Sequence, residues 1–154
     1  MANWLDGYAI LTGKIDDILT FVTTCTMHQG EPVHALLEGS KIIFPNNFIP
    51  EDLYVLNSTR AFIGFSPKHD IKKTDTPNIY EVNVTWDQAH GLITEELSTL
   101  AKQNNLAIEV EGIVVELALK EHIIVNNRGK ILLDECIEYH SEDYDPNDDY
   151  KGIN

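Results

Sequence analysis

The stretch Tyr80-Glu81-Val82-Asn83-Val84-Thr85-Trp86 alternates strictly between residues of two kinds, with the apolar ones at the even positions. Successive side chains of a β-strand point to opposite faces of the sheet, so this alternation predicts a strand with one buried face. Apolar residues then recur every three or four positions between Leu92 and Ala101, which predicts an amphipathic helix over about residues 90–103. A strand followed closely by a helix therefore organises the second half of the chain.

A similar pair of elements is predicted near the start of the sequence. Tyr8 to Thr12 is short, apolar and β-prone, and Asp16 or Asp17 can cap a helix that follows it. After the second helix, further strands are predicted over residues 106–110, 113–119, 122–125 and 130–133. This order predicts an α+β fold, with an antiparallel sheet that carries both helices on one face and extra strands at its C-terminal end.

The chain is expected to form a single α+β domain over residues 1–140. Residues 29 to about 77 show no clear period and are interpreted as an irregular insertion, and residues 141–154 as an acidic flexible tail. Because each helix has one apolar stripe to bury against the sheet, a shared core is predicted. Its members are Ile10, Ile18, Val82, Val84, Leu97, Leu100 and Ile108.

The charge balance is strongly acidic. The 154 residues contain 11 Lys and Arg against 25 Asp and Glu, a formal net charge of -14, and half of that charge lies from Asp134 onward. Such a chain is not a generic binder of nucleic-acid backbones, which needs cations to replace phosphate counterions, nor is it suited to an anionic membrane surface. The sequence contains no signal peptide pattern and no apolar stretch of membrane-spanning length, so a cytoplasmic protein is expected.

Two stretches carry a resemblance to a known family. The first is Asn3-Trp4, then Ala9 to Gly13 as a strand that ends in glycine, then Asp17-Ile18; the second is the strand ending at Trp86, the following helix, and Leu106 to Gly112. Together they resemble the YubB-type ferredoxin-like proteins of plasmids and phages. The resemblance implies a ferredoxin-like sheet, an acidic-Gly turn at Glu111-Gly112 and a mobile-element origin, and it implies no chemical activity.

Motifs for metal binding and catalysis are incomplete. Cys25-x-x-His28 with His34 lacks a fourth zinc ligand, and residues 143–149 resemble half of a calcium loop that has Asp148 where the turn glycine belongs. The sequence also contains neither a nucleophile elbow nor a phosphate-binding loop. We therefore predict no catalytic residues, no metal site and no cofactor.

The first functional interpretation is a non-catalytic acidic binding protein of a phage or mobile element. Carboxylates can take the place of phosphates toward Lys and Arg, so such a protein is suited to inhibit a host nucleic-acid-binding or defence protein as a nucleic-acid mimic. The partner is then a protein with a basic surface, without direct nucleic-acid or membrane binding. Nothing in the sequence indicates an oligomeric state. The predicted partner-binding residues are Glu142, Asp143, Asp145, Asp148 and Asp149.

The second interpretation is a small enzyme or ligand-binding domain with an anion site in the 60–73 segment. The candidate anion ligands are Arg60, Lys68, His69, Lys72 and Lys73. A concave pocket lined by Arg60, His69 and a carboxylate favours this alternative. Acidic residues on one continuous face of the fold favour the first interpretation.

Overall fold

A large antiparallel sheet and two α-helices form the fold of the computed structural model, which describes residues 3–45, 51–65 and 71–139. The chain is a mixed α+β protein, as predicted. Helix α1 (Ile15–Cys25) follows the first strand, and helix α2 (Thr94–Asn104) connects two long strands in the second half. Neither of these helices, the only α-helices among the described residues, is long and apolar enough to cross a bilayer.

Ten of the described strands belong to the large sheet. They are β1 (Trp4–Gly13), β2 (Thr26–His28), β3 (Glu31–Pro32), β6 (Leu53–Val55), β7 (Ala61–Gly64), β8 (Lys72–Lys73), β9 (Tyr80–Ala89), β10 (Ala107–Val114), β11 (Leu119–Val125) and β12 (Ile131–Glu138). The two remaining strands, β4 (Leu36–Glu38) and β5 (Lys41–Ile43), form a separate hairpin.

Strand β1 lies near the middle of the sheet, although it comes first in the chain. The strand order is β12-β11-β10-β1-β9-β7-β6-β2-β3, and β8 pairs with the beginning of β9. All of these pairings are antiparallel. The long pairings of β1 with β9 and β10 therefore join the N-terminal part of the chain to its second half.

One face of the sheet is buried beneath the helices. Alternate residues of β1 and β9 are fully or almost fully buried, as the alternation around Val82 and Val84 predicts. The two helices lie side by side on this face, where the Cys25 thiol donates to Asn104 and the Asn105 amide donates to Asp17. The core prediction is confirmed for Ile18, Val82, Val84, Leu97, Leu100 and Ile108.

The prediction that Ile10 belongs to this core is wrong. Ile10 is opposite Asn83 and Glu109 in the ladders and is only partly buried. It alternates with Ala9 and Leu11, which occupy the helix-covered face. Its side chain therefore lies on the other face of the sheet.

The region predicted as an irregular insertion contains six short strands, β3 to β8, within its described residues. Strand β7 extends the sheet because its four residues pair with the free edge of β9, and β6 then pairs with β7. The side chains of Leu53, Val55, Ala61 and Ile63 are buried. Three or four apolar residues bounded by turns are thus enough to continue a sheet whose edge is already formed.

The predicted break between strands at residues 111–112 is wrong. β10 continues through Glu111 and Gly112, and the chain instead turns at a 3-10 helix over Val115–Leu117. Gly112 lies opposite Gly7 of β1, and a β-carbon added to Gly7 would collide with the Glu111 carbonyl oxygen. The glycines therefore permit a close approach of two strands rather than a turn.

Candidate functional site

The partner-binding residues predicted in the acidic tail, Glu142, Asp143, Asp145, Asp148 and Asp149, lie outside the described residues. Their role stays a prediction. The calcium-like motif at residues 143–149 lies outside as well. Within the described ranges, no group of three or more His, Cys, Asp or Glu side chains has a metal-binding arrangement.

The basic residues proposed for an anion site are not brought together. Arg60 precedes Ala61, which pairs with Gln88 at one end of β9, whereas Lys72 pairs with Glu81 near the other end. Seven residues of strand separate these positions by about 23 Å, at about 3.3 Å per residue. Lys73 lies beside Lys72, and Lys68 and His69 are outside the described residues. Arg60 and the two lysines of β8 therefore cannot hold one small anion.

The more distinctive surface is the sheet face that neither helix covers, here called the open face. Side chains of β1 alternate between fully buried positions under the helices and half-exposed or exposed positions on the open face. The same alternation continues in β9 over residues 81–87. The acidic residues that the register places on the open face are Asp6, Glu81, Asp87, Glu109, Glu111 and Glu135.

Asp6 and Asp87 are directly opposite each other on neighbouring strands of this face. Opposite residues of an antiparallel pair have β-carbons about 5 Å apart, and like charges in that position repel. Asp52, which precedes β6, adds a third carboxylate to the same site. The three carboxylates and the rings of Trp4 and Phe62 line an open cavity of about 400 Å³, here called the aspartate cavity.

The surroundings of Asp87 change its acidity. Burial is the largest cause, followed by the charge of Asp6 and a hydrogen bond with its side chain, and these raise the pKa of Asp87 from its ordinary 3.8 to about 6. The charge of Asp52 acts in the same direction, and a hydrogen bond from the Gly7 amide opposes it. Asp87 therefore exchanges a proton near pH 6, and a cation that enters the cavity favours its charged form.

Aromatic rings form the wall of the aspartate cavity. The Trp4 and Phe62 ring centroids lie 6.0 Å apart, and the Tyr54 ring centroid lies 5.6 Å from that of Phe62, with the rings tilted in both pairs. The guanidinium carbon of Arg60 lies 5.1 Å from the Trp4 ring centroid. This contact is a cation–π interaction within the molecule, and it places a cation beside the cavity without an ion pair to its carboxylates among the described residues.

Further along the open face, two acids already have partners. Lys120 Nζ lies 3.0 Å from Glu111, and His122 Nε2 lies 2.6 Å from Glu109. Both pairs connect β10 with β11. In contrast, Asp6, Asp52 and Asp87 of the aspartate cavity form no ion pair among the described residues.

A second cavity, of about 220 Å³, lies on the helix-covered side between α2 and the loop before β7. Its polar groups bond to one another. The Trp86 indole N–H donates to buried Gln88, whose amide donates to Glu96, and Glu96 also accepts from the amide N–H of Thr59 at 2.9 Å. This arrangement fixes the loop to the helix, and its donors and acceptors are satisfied internally.

Sequence reasoning missed Asp6, Asp52 and Asp87. Asp6 and Asp87 occupy polar positions of alternating strands, which is the ordinary pattern of a solvated sheet face. Their proximity depends on the register between strands about 80 residues apart, which no local pattern reports. The only local signal for these two residues is that Asp6 lies two positions after Trp4 and Asp87 directly follows Trp86.

Comparisons with protein-family models, curated proteins and solved structures find no significant match to this chain.

Proposed function

We propose that this protein is a non-catalytic acidic binding protein that holds a basic surface of another protein against the open face of its sheet. One observation carries the proposal. Three carboxylates, Asp6, Asp52 and Asp87, gather beside two aromatic rings, and no cation among the described residues pairs with them. Such a site is complementary to the Lys or Arg side chains of a partner, because carboxylates and ring faces both attract cations.

Charge repulsion within the site supports a binding role. Asp6 and Asp87 oppose each other at a cost to folding, and this repulsion adds to burial, the larger cause, in raising the pKa of Asp87. A cation that binds here reduces this repulsion, so formation of the complex recovers part of the free energy that the repulsion costs. The open position of the cavity on the sheet face gives a protruding side chain direct access to it.

The proposal extends to nucleic-acid mimicry. The open face carries carboxylates along several neighbouring strands, and the acidic tail adds Glu142, Asp143, Asp145, Asp148 and Asp149. A protein groove that normally binds phosphates offers Lys and Arg side chains to such a surface. We therefore propose inhibition of a host nucleic-acid-binding or defence protein in the cytoplasm, without direct binding of nucleic acid by this chain.

A mobile-element origin and a ferredoxin-like core belong to the same proposal. The adjacent strands β10-β1-β9-β7, with α1 after β1 and α2 between β9 and β10, are consistent with a ferredoxin-like unit. In this proposal β11 and β12 are the extra C-terminal strands. The resemblance to YubB-type proteins supports this assignment through the Trp4 and Trp86 segments.

The experiment is capture from a host lysate with two charge-matched variants of the full chain. The open-face variant replaces Asp6 and Asp87 by asparagine. The control variant makes the same change at Asp16 and Asp75, which lie in the first turn of α1 and in a loop. We expect the parent and the control to retain the same protein, and the open-face variant to retain at least tenfold less.

A competition step tests mimicry. Duplex DNA or RNA added to the captured complex is expected to release the partner, because both compete for one basic surface. Equal retention by the open-face and control variants would contradict a role for the open face. Retention that nucleic acid leaves unchanged would contradict mimicry while leaving binding intact.

A further inference from the structure

Strand β12 forms one edge of the large sheet, and within the described residues no strand pairs with its outer side. It is eight residues long and carries large apolar side chains in solvent, with Ile131 45% exposed, Leu132 57% and Ile137 55%. Long edge strands with exposed apolar residues pair readily with another chain unless they are covered. Edge β12 is therefore a surface with unused pairing capacity in the described part of the chain.

The backbone groups that face outward can be identified. The Tyr139 amide donates to the Ala118 carbonyl oxygen at 2.9 Å, so Tyr139 points its backbone groups toward β11. In an antiparallel ladder this direction alternates along the strand. The backbone N–H and C=O groups of Asp134, Cys136 and Glu138 therefore point away from the sheet, toward a partner strand.

Side chains of β12 differ between the two faces. Asp134, Cys136 and Glu138 lie on the helix-covered side, where Asp134 accepts a hydrogen bond from Thr94 of α2 and Cys136 lies opposite Glu121. The other side of the strand presents Leu133, Glu135 and Ile137. One face of the edge is thus mainly acidic, and the other is mainly apolar.

Negative charge is concentrated around this acidic side. Burial, followed by the charges of Glu121, Asp134 and Glu138, raises the pKa of the Cys136 thiol. Burial and the charge of Asp134 also raise the pKa of Glu121, although the Leu92 amide donates to it at 2.8 Å and acts in the opposite direction. A strand that brings cations to this side would reduce the repulsion.

A second copy of β12 does not meet this requirement. In both copies the even-numbered residues point their backbone groups outward. An antiparallel copy therefore pairs even-numbered residues with even-numbered ones and odd-numbered residues with odd-numbered ones. The two longest overlaps of that kind place Asp134 opposite Asp134 or Glu135 opposite Glu135, and like charges in direct opposition are unfavourable. Residues 141–154 of the same chain are also acidic, with Lys151 as their only base.

We propose that the β12 edge accepts an extended segment of the partner protein as an additional strand, in which Lys or Arg residues alternate with apolar residues. The basic residues lie beside Asp134 and Glu138, and the apolar residues lie beside Leu133 and Ile137. Main-chain hydrogen bonds to the outward groups supply affinity, and the alternation supplies specificity. This inference rests on the proposed function for the basic character of the partner, and adds the mode of docking.

Amide hydrogen exchange of the full chain tests the inference with a short synthetic peptide of alternating lysine and valine. Strand addition predicts at least tenfold slower exchange at Asp134, Cys136 and Glu138, whose N–H groups gain acceptors. Leu133, Glu135 and Ile137 should change little, because their N–H groups already bond to β11. A peptide of equal charge with proline in place of valine should give no such protection.

Two variants at one position separate strand pairing from general attraction. Cys136→Pro removes an outward N–H and leaves the inner ladder with β11 in place, whereas Cys136→Thr keeps the N–H. We expect peptide affinity to fall at least tenfold in Cys136→Pro and less than threefold in Cys136→Thr. If Cys136→Pro does not fold, the alternating protection pattern in the parent chain decides alone.

Three results would overturn the inference. The first is equal protection from amide exchange by the proline peptide, and the second is protection that does not alternate along β12. The third is alternating protection that appears without peptide and grows with protein concentration, which would show that a second copy pairs with the edge. None of these results bears on Asp6 and Asp87. Capture that depends on those two residues would still support the proposed function.

Discussion

Replacing Asp87 by asparagine should stabilise the protein at neutral pH and have little effect near pH 4. Asparagine resembles the protonated carboxyl and removes its repulsion with Asp6. The pKa of Asp87 is raised in the folded protein to about 6, so the unfolded chain releases this proton at lower pH than the folded chain does. The contribution of Asp87 protonation to the free energy of unfolding is fully present below about pH 4 and is lost as the pH rises through 6.

The magnitude follows from the two pKa values. A change from 3.8 to about 6 corresponds to at most about 3 kcal/mol, at about 1.4 kcal/mol for each pH unit. Asp87 is only partly buried, and solvent screening reduces this to about 1–2 kcal/mol. In a domain of this size, that difference raises Tm by about 3–6 °C at pH 7.

The assay is urea or thermal unfolding of the parent and Asp87→Asn between pH 4 and pH 8, with Asp75→Asn as the control. Asp75 undergoes the same chemical change at an exposed loop position. The free-energy difference between parent and Asp87→Asn should grow with pH and level off above about pH 7. A difference that is independent of pH, or a variant less stable than the parent at pH 7, would contradict a raised pKa of Asp87 in the folded protein.

Three further predictions concern the core, the loop before β7 and metal ions. Val84→Asp should cost on the order of 3 kcal/mol or more in a urea melt, because it buries an unpaired charge, whereas Asn83→Asp on the open face should cost little. Glu96→Ala should cost about 1–3 kcal/mol, because it leaves the Thr59 amide without an acceptor and removes one of the two acceptors of the buried Gln88 amide, whereas neighbouring Glu95→Ala should be nearly neutral. Chelator treatment should leave Tm within about 2 °C, since the metal motifs are incomplete; a larger loss that zinc or calcium restores would contradict this.

Local patterns were sufficient for the elements that contain many residues of one period. The alternation around Val84 locates β9, and the apolar stripe around Leu97 locates α2, because burial of one face repeats along each element. Both elements differ from prediction mainly at their ends. β9 continues to Ala89 because Ala89 still pairs with Trp4 of β1. Helix α2 starts only at Thr94 because the chain first turns after β9.

Interactions between distant parts of the chain explain most of the differences. Ile10 is apolar, yet the register with Asn83 and Glu109 puts it on the open face. Gly112 suggests a turn by its residue type, whereas its opposition to Gly7 shows a close contact between strands. The aspartate cavity depends on the same register, which is why residue types alone could not predict it.

The acidic tail has a testable role apart from the open face. Removal of residues 141–154 should leave stability nearly unchanged or slightly higher, because it removes mutually repelling charges. The truncated chain should associate with the partner more slowly, and its association rate should depend less on salt, since long-range attraction mainly affects that rate. Equal association rates and salt dependences in the full and truncated chains would show that these acids serve solubility only.

If carboxylates of the open face hold the basic surface of the partner, their loss must change the binding kinetics of the captured partner, measured at two salt concentrations. Asp6→Asn together with Asp87→Asn should raise the dissociation rate at least tenfold at both concentrations, because direct contacts are lost. The charge-matched change at Asp16 and Asp75 should leave that rate within about twofold. Equal dissociation rates for the two variants would contradict the claim.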